Sequence, residues 1–270
     1  MPQVKKGIKL KVGNHVSNGH PRSESIRIRE RLTRHIETKV LALAGLIAHG
    51  RGEAFDYILG EKTTSSAQTS ITAAVAMLLL ADQPVLSVNG NVAALCAREL
   101  VDLSNVTGAK LEVNLFHRLP GREEAIEAEL KEAGARGILG VDGSANAKME
   151  EVFSDRRTVD PRGIYIADVV FVPLEDGDRT EGLVRMGKKV VTVDLNPISR
   201  TAQFADVTIV DNVVRAMPLL VSEAKNLKKE SPETLREIVN AYSNRDALSD
   251  ALKTILKRLA KLSESKVIQK

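Results

Sequence analysis

The chain has 270 residues, of which 43% are hydrophobic and 27% are charged, and 39 basic against 35 acidic side chains give a formal net charge of +4. Its longest apolar run, residues 73–81, is far shorter than the roughly 20 residues that span a bilayer, so a membrane-spanning protein is excluded. With only 3% aromatic residues for base stacking, this mixed charge favours small phosphorylated ligands over nucleic acid.

The sequence carries few signals of export or covalent cross-linking. Its first residues include Lys5, Lys6, Lys9 and Lys11 but no sustained apolar core or cleavage site, so we expect no secretory signal and a cytoplasmic location. The single cysteine, Cys96, can form no internal disulfide and lies in an alanine-rich stretch. We expect it to be buried packing rather than a nucleophile.

The N-terminal part of the chain predicts an arm followed by helices. Residues 1–19 combine lysines with Gly, Asn and Ser and are interpreted as a mobile or extended basic arm. Apolar residues at helical spacing, with arginines on the exposed face, predict a helix over residues 23–42 that Ser23 or Ser25 caps. The same spacing predicts a helix over residues 65–80.

Residues 45–60, GLIAHGRGEAFDYILG, allow two interpretations. An apolar run leads into ionisable side chains around two glycines: His49, Gly50, Arg51, Gly52, Glu53 and Asp56. A strand that feeds a turn has this composition, and so does a pocket that holds a charged group. In the pocket, the glycines let the backbone approach an anion that Arg51 binds. Alternatively, Glu53 and Asp56 only cap the next helix and pair with Arg51.

From residue 84 onward, strands and helices alternate. Runs of Val, Leu and Ile predict buried strands at residues 84–88, 110–116, 137–143, 167–174, 188–196 and 206–212. Helices are predicted between them at residues 91–108, 121–135 and 179–187. This alternation predicts an α/β fold: a parallel sheet with right-handed crossovers and helices on both faces.

Residues 230–264 are predicted to form a C-terminal helical appendage. Ser231 and Pro232 give a helix start, with a capping hydroxyl and proline at the first position. The closing stretch 247–262 is amphipathic, and we expect it to pack on its own domain or on a dimer mate rather than on a membrane. The whole chain, 1–270, is predicted to be a single α/β domain.

Polar residues follow almost every predicted strand. They are Asn89, Gly90 and Asn91; Asn114, His117 and Arg118; Glu175, Asp176, Asp178 and Arg179; Asp194, Asn196, Arg200 and Thr201; and Asp211 and Asn212. Any one of them can be an ordinary turn or helix cap. In open parallel sheets, however, ligands bind outside the carboxyl ends of the strands, so five such ends together predict a binding site.

The residue types indicate a phosphorylated ligand. Arg200 with Thr201, Arg51 between glycines, and Arg29 on the first helix offer guanidinium groups and backbone amides that suit phosphate oxygens, and a polyphosphate is the natural candidate. The familiar phosphate loops GxxxxGK[ST] and GxGxxG are both absent from the sequence. It also lacks an HExxH metal motif and a GxSxG nucleophile motif.

Several long blocks together identify a family. HPRSES, GLIAHGRGEAFDYILGE, PVLSVNGNVAAL, NLFHR, ADVVFVPLEDGDRTEGLVRMGK, VVTVDLNPISRTA and ADVTIVDNVVRA occur in order between His20 and Ala216. In this combination the chain resembles the archaeal phosphopantothenate synthetases, 4-phosphopantoate:β-alanine ligases. The arm, residues 144–162 and the C-terminal sixty or so residues match less distinctly.

The resemblance implies an ATP-dependent ligase of coenzyme A biosynthesis on a Rossmann-like homodimer. Its substrates are 4-phosphopantoate and β-alanine, and its products are 4′-phosphopantothenate, AMP and diphosphate. The ATP-binding positions of the family correspond here to Arg29, Arg51, Asp194, Leu195, Asn196, Arg200, Thr201, Asn212 and Val213. Thr201 stands where family members often have serine, and it keeps the hydroxyl.

The implied chemistry suggests further roles. Release of AMP implies that the substrate carboxylate attacks the α-phosphate to give an acyl-adenylate, with arginines offsetting the negative charge. Mg²⁺ would bridge the phosphates, with Asp176 or Asp178 as a carboxylate ligand. His49 and Glu53 are candidate acceptors of the β-alanine amine proton. Candidates for recognising the hydroxyl or phosphate groups of phosphopantoate are Asn89, Asn91 and Asn114, whereas Glu175 and Arg179 can pair with each other.

Two other classes of protein remain as alternatives. A dinucleotide-dependent oxidoreductase would share the sheet but should show a glycine fingerprint followed by an acidic residue, which the sequence lacks. A non-catalytic basic protein would bind nucleic acid through its lysine-rich arm and arginine-bearing helix, with an affinity that falls steeply with salt.

Overall fold

A five-stranded parallel sheet forms the centre of the protein. The computed structural model describes residues 22–174 and 177–265, so the predicted arm, residues 1–19, lies outside the described residues. The strand order is β2-β1-β5-β6-β7. The strands are β1 (Pro84–Val88), β2 (Lys110–Val113), β5 (Val169–Phe171), β6 (Lys189–Val193) and β7 (Val207–Ile209), and a separate antiparallel pair consists of β3 (Ala147–Lys148) and β4 (Thr158–Val159).

The sheet is covered on both faces, as the sequence predicts. The helices are α1 (Ser23–Glu37), α2 (Leu43–Leu59), α3 (Ser65–Leu80), α4 (Gly90–Thr107), α5 (Arg122–Glu132), α6 (Gly177–Arg185), α7 (Arg200–Phe204), α8 (Val213–Leu227), α9 (Pro232–Ala241) and α10 (Asn244–Glu264). On the interior strand β1, Leu86 and Val88 face a large core formed with the helices α3, α4 and α8, whereas Val85 faces a second core that includes Leu183 of α6. Burial on both faces explains why the strands are mostly apolar, and the polar residues in their interiors, Ser87, Glu112, Thr192 and Thr208, are buried rather than facing water.

Residues 45–60 lie in a helix, so the interpretation as a strand end is wrong. They belong to α2, which runs through both Gly50 and Gly52 and ends at Gly60 in the left-handed conformation (φ 105°). Two glycines inside a helix cost about 1 kcal/mol each relative to alanine. Packing of the last turn offsets this cost, because Leu59 is buried in a cluster with Leu195 and Ile255.

The strand predicted at residues 137–143 is also wrong. Only Leu139 pairs with β2, through hydrogen bonds of 2.9 Å to Val113 N–H and 2.8 Å from its own N–H to Leu111 O. Gly137 and Gly140 have φ angles of 70° and 77°, which a regular strand does not contain. The apolar run is therefore a glycine-rich segment that lies along the sheet edge.

Helix ends were predicted with mixed success. The N-cap of α1 is Arg22 without a side-chain hydrogen bond, so capping by Ser23 or Ser25 is wrong, and α1 ends earlier than predicted. At α9 the prediction is confirmed, since Ser231 Oγ accepts from Thr234 N–H at 3.2 Å and Pro232 follows it. The helices α7 and α8 were not predicted.

The C-terminal helices pack on the rest of the chain. Leu248, Ala251 and Ile255 of α10 are buried against the last turn of α2, whereas Leu256 is 66% exposed. Cys96 is buried within α4, as expected, and burial raises the pKa of its thiol. Within residues 22–174 and 177–265, every helix is too short or too polar to cross a lipid bilayer.

Candidate functional site

The carboxyl ends of the strands meet where the direction of winding reverses. The chain passes from β1 to β2 on one side and then returns to add β5, β6 and β7 on the other, so the reversal lies between β1 and β5. Asn89 bridges it, donating to Pro173 O at 2.8 Å while its Oδ1 caps α4 by accepting from Val92 N–H at 3.0 Å. In doubly wound sheets this reversal is where ligands bind.

A cationic cavity of about 230 Å³ opens beside this point, at the N-terminus of α4. It is lined by residues of α2, of the first turn of α4 and of the loop after β2. These include Gly45, Ala48, Arg51, Asn89, Gly90, Asn91, Leu115, Phe116, His117, Arg122, Arg156 and Leu174. The N-terminus of a helix carries a partial positive charge, so the three arginines add to a field that already favours an anion.

Arg122 is buried in the wall of this cavity, and its guanidinium group bonds to backbone carbonyls rather than to a carboxylate. It donates to His117 O at 2.7 Å and to Val40 O at 3.0 Å. Burial, and secondly the positive charge of Arg156, lower the pKa of Arg122. Backbone carbonyls satisfy its N–H groups but leave its charge in place, so an anionic ligand would be stabilised here.

Gly90 makes this arrangement possible. A Cβ atom at this position would lie 2.4 Å from Val40 O and 2.7 Å from Arg122 Nη2. The absence of a side chain therefore lets the guanidinium group lie against the first turn of α4. The glycine of the sequence NGN is required for a close approach rather than for a special backbone angle.

Arg51 lies between this cavity and the end of β6. It is exposed on the middle of α2 and lines the cavity. Burial raises the pKa of Asp194, the residue that follows β6, and the charge of Arg51 acts on this carboxylate in the opposite direction. On the next residue, Gly52, a Cβ atom would lie 3.6 Å from Leu195. The middle of α2 thus faces the segment after β6.

The segment after β6 is held by its own side chains. Asp194 accepts from Asn196 N–H at 2.9 Å and from Ser199 Oγ at 2.5 Å, and Asn196 Oδ1 accepts from Ile198 N–H at 3.1 Å. Thr201 is buried in the first turn of α7. These bonds fix the loop into α7, so its backbone is rigid before any ligand binds.

Arg200 is exposed and ion-paired in this structure. Its guanidinium group bonds to Asp178 and, at 2.7 Å, to Glu181, both on α6. A phosphate would therefore have to displace these carboxylates to bind Arg200. The carboxylate of Asp178, a predicted magnesium ligand, is thus ion-paired with an arginine. The other predicted ligand, Asp176, lies outside the described residues, as does Glu175. Among the described residues no group of three Asp, Glu, His or Cys side chains is arranged to hold a metal ion.

At the end of β7, Asn212 and Val213 begin α8. Asn212 Oδ1 caps the helix by accepting from Val214 N–H at 3.2 Å, and its Nδ2 donates to Asp56 Oδ2 of α2 at 2.9 Å. Val213 is buried. The loops after β6 and β7 therefore both contact α2, which brings the predicted ATP-binding positions to one edge of the sheet.

The two candidate proton acceptors differ in their surroundings. Glu53 accepts from Ser25 Oγ at 2.6 Å, Arg29 Nη2 at 2.8 Å and Tyr57 OH at 3.1 Å. Burial opposes its ionisation, but the bonds from Arg29 and Ser25 outweigh burial and lower the pKa of Glu53. Glu53 is therefore a weak base that orients Arg29. Burial lowers the pKa of His49, which favours the neutral imidazole that can accept a proton.

The asparagines predicted to bind substrate have structural partners. Asn91 lines the cavity and donates to Gly45 O of α2 at 2.9 Å. Asn114 is fully buried and donates to Arg156 O at 3.2 Å and to Thr158 O at 3.1 Å. Asn114 thus fixes the backbone of Arg156, which lines the cavity. Arg179 is buried and donates to Ser87 Oγ at 2.9 Å.

Sequence reasoning missed Arg122 and Arg156. Arg122 begins α5, a position where the helix dipole disfavours a cation. This unfavourable placement is a signal that could have drawn attention to Arg122. Arg156 lies in a short 3₁₀ turn within residues 144–162, where the resemblance is least distinct, and no comparable signal marks it.

Comparison with known proteins identifies the family of this chain. The family model described as phosphopantothenate/pantothenate synthetase matches residues 66–258. A protein of Thermococcus kodakarensis named 4-phosphopantoate--beta-alanine ligase is 51% identical over 93% of this chain and 95% of its own length. A protein of the same name from Methanosarcina mazei is 48% identical over 90% of this chain and 95% of its own length. Another from Thermococcus onnurineus is 48% identical over 94% of this chain and 97% of its own length. The chain therefore belongs to the phosphopantothenate/pantothenate synthetase family.

Proposed function

We propose that this protein joins 4-phosphopantoate to β-alanine, with conversion of ATP to AMP and diphosphate, as a step of coenzyme A biosynthesis. Relatives that carry the name of this ligase support the reaction. The observation that carries the assignment to a site is the cationic cavity at the start of α4, which α2 joins to the loops after β6 and β7, since α2 lines the cavity and contacts both loops. This arrangement suits two anionic substrates that must react with each other.

The phosphoryl group of 4-phosphopantoate binds in the cavity between Arg122, Arg156 and the first turn of α4. Buried guanidinium groups and helix amides are the donors that bind phosphate most strongly in proteins. The apolar side chains of Leu115, Phe116 and Leu174 line the same cavity and suit the two methyl groups of the pantoate moiety. The acid is thereby oriented with its carboxylate toward α2.

ATP binds across the ends of β6 and β7. The residues present suit it, because α2 places Arg51 over this edge and the loop at Asp194–Asn196 is fixed in advance by its own hydrogen bonds. Arg29 lies beside Glu53, and Arg200 reaches phosphate once it leaves Asp178 and Glu181. Mg²⁺ fits less well as a protein-bound ion, since the described residues form no metal cluster, and we propose that it enters with the nucleotide phosphates.

Arg51 serves the first chemical step. A carboxylate oxygen of phosphopantoate attacks the α-phosphorus, the bond to the β-phosphate breaks, and diphosphate leaves with the electron pair. Both reactants are anions, so the guanidinium group between them offsets their repulsion and stabilises the charge that develops on the α-phosphate. The product of this step is the acyl-adenylate.

His49 serves the second step. The amine of β-alanine attacks the acyl carbon, AMP leaves, and the nitrogen loses a proton as the amide forms. His49 lies on α2 one turn before Glu53, and burial lowers its pKa so that it is neutral and able to accept that proton. Glu53 instead holds Arg29.

The protein acts as a homodimer in the cytoplasm. Leu43 and Ile47 lie one turn apart on α2 and are 70% and 69% exposed, and contiguous exposed apolar surface marks sites of protein association. A cytoplasmic location provides the ATP on which the reaction depends.

The test is an assay of products. Purified protein is incubated with ATP, Mg²⁺, 4-phosphopantoate and β-alanine, and both AMP and 4′-phosphopantothenate are quantified. We expect equal amounts of the two, with neither formed in quantity when phosphopantoate is omitted. Pantoate without its phosphate serves as the control substrate and should react poorly. Formation of ADP in place of AMP would refute the adenylate route, and formation of neither nucleotide would refute the ligase assignment.

A further inference from the structure

A buried ion-pair network lies at the end of β7, outside the cavity and the reacting positions. Its centre is Arg215, the third residue of α8. A cation in the first turn of a helix is opposed by the helix dipole, so its presence there requires a compensating interaction. The compensation comes from two carboxylates that are almost completely buried, Asp56 at 5% exposure and Asp211 at 0%.

The guanidinium group of Arg215 bonds to both carboxylates at once. Its Nη2 donates to Asp56 Oδ1 at 2.6 Å, and its Nη1 donates to Asp56 Oδ2 at 3.1 Å. Asp211 Oδ1 accepts from Nη2 at 2.7 Å and from Nε at 2.9 Å. Asp211 also accepts from Thr63 Oγ1 at 2.5 Å, and Asp56 accepts from Asn212 Nδ2 at 2.9 Å. Only a planar fork with several donors can make this set of bonds.

The network ties the last turn of α2 to the strand end. Asp56 and Leu59 are the buried residues of α2, whereas Leu43 and Ile47 near its start are exposed. Near the start of α2, Asn91 donates to Gly45 O at 2.9 Å. Near its end, Arg215 forms the ion pair with Asp56. Arg51 lies between these two attachments, on the helical segment that contains two glycines.

We infer that Arg215 is a positioning residue for the nucleotide half of the site. By bridging Asp56 and Asp211, it fixes α2 against the end of β7 and so sets the position of Arg51, which lies on the same helix. This inference rests on the proposed function, since it concerns the ATP-binding edge. A shift of about 1 Å in a positioning element can cost a large factor in rate, and a lysine cannot bridge both carboxylates as arginine does.

The test compares Arg215→Lys with the wild type and with Arg98→Lys, a matched change in an exposed ion pair with Asp102 on α4. The affinity of each protein for ATP with Mg²⁺ is measured by calorimetry without the other substrates, and KM is measured for all three. We expect the Kd and KM for ATP of Arg215→Lys to rise about tenfold or more while the KM for phosphopantoate changes less than threefold. Arg98→Lys should match the wild type.

Unfolding is followed in parallel to separate positioning from stability. If Arg215→Lys lowers Tm but the folded protein binds ATP as tightly as the wild type, Arg215 is merely structural and the inference is overturned. Should this variant not fold, Asp56→Asn replaces it, because it weakens the same bridge while it keeps a polar side chain, and the same ATP-specific rise is expected. A wild type that does not bind ATP would instead refute the proposed function.

Discussion

Replacing Arg122 by glutamine tests the phosphoryl-binding role of the cavity. In the structure Arg122 donates to Lys39 O, Val40 O and His117 O at 3.3, 3.0 and 2.7 Å. Because these acceptors are uncharged carbonyls, they do not neutralise the positive charge that would bind the phosphoryl group. A hydrogen bond to a charged group contributes about 1.5–3 kcal/mol. Loss of one such bond to the phosphoryl group should therefore lower kcat/KM for 4-phosphopantoate by about 10- to 150-fold.

The same substitution should also destabilise the protein, because buried carbonyls lose their donor at about 1–3 kcal/mol. The assay must therefore compare substrates within one folded sample. We expect kcat/KM for phosphopantoate to fall while KM for ATP changes less than threefold. The control is Arg118→Gln, which removes a neighbouring arginine that bonds to Glu123 and to Thr158 O and does not line the cavity. If folded Arg122→Gln keeps the phosphopantoate kinetics of the wild type, the phosphoryl group does not bind there.

Three further predictions concern titration and packing. Since burial lowers the pKa of His49 below its usual 6.5, kcat should rise with pH through that lowered pKa and stay level above it. His49→Gln should lower kcat about 100-fold or more and abolish this rise of kcat with pH. Burial raises the pKa of Glu112 from 4.5 to about 7, so the native state binds more protons in that range. The free energy of unfolding should therefore fall by at most about 3 kcal/mol as pH rises from 4.5 to 7, and a denaturant series on Glu112→Gln should show a flatter dependence. Gly90→Ala places a Cβ atom 2.4 Å from Val40 O, and it should raise KM for phosphopantoate at least tenfold; unchanged kinetics would show that the first turn of α4 does not bind it.

The fold could be predicted because its signal is local. Mostly apolar, valine-rich runs at β1 and β6 predicted the buried parallel strands, and Ser231 with Pro232 predicted the start of α9. The segment 137–143 misled because its apolar residues resemble those of a strand, whereas glycines at φ 70° and 77° turn its backbone away from regular pairing. Residues 45–60 were ambiguous because two glycines weaken a helix whose stability comes from tertiary packing.

The candidate site could be predicted only in part, for a related reason. Arg51 and the residues after β6 and β7 were found from strand ends and from the family resemblance. Arg122 and Arg156 could not be found in this way, because neither directly follows a strand of the sheet. Arg122 is the first residue of α5, and Arg156 lies in a 3₁₀ turn. The role of Arg215 depends on Asp56, which is 159 residues away in the chain and becomes its partner only in the folded protein.

In the proposed arrangement, the cavity at the start of α4 holds the phosphorylated acid while the ends of β6 and β7 hold ATP. A crystal structure with 4-phosphopantoate and an ATP analogue that cannot be cleaved between its α- and β-phosphates would show both ligands at once. We expect the phosphoryl group of the acid within hydrogen-bonding distance of Arg122, and Arg51 between its carboxylate and the α-phosphate. Nucleotide phosphates bound at Arg122, with the acid beyond Asp194, would refute this arrangement.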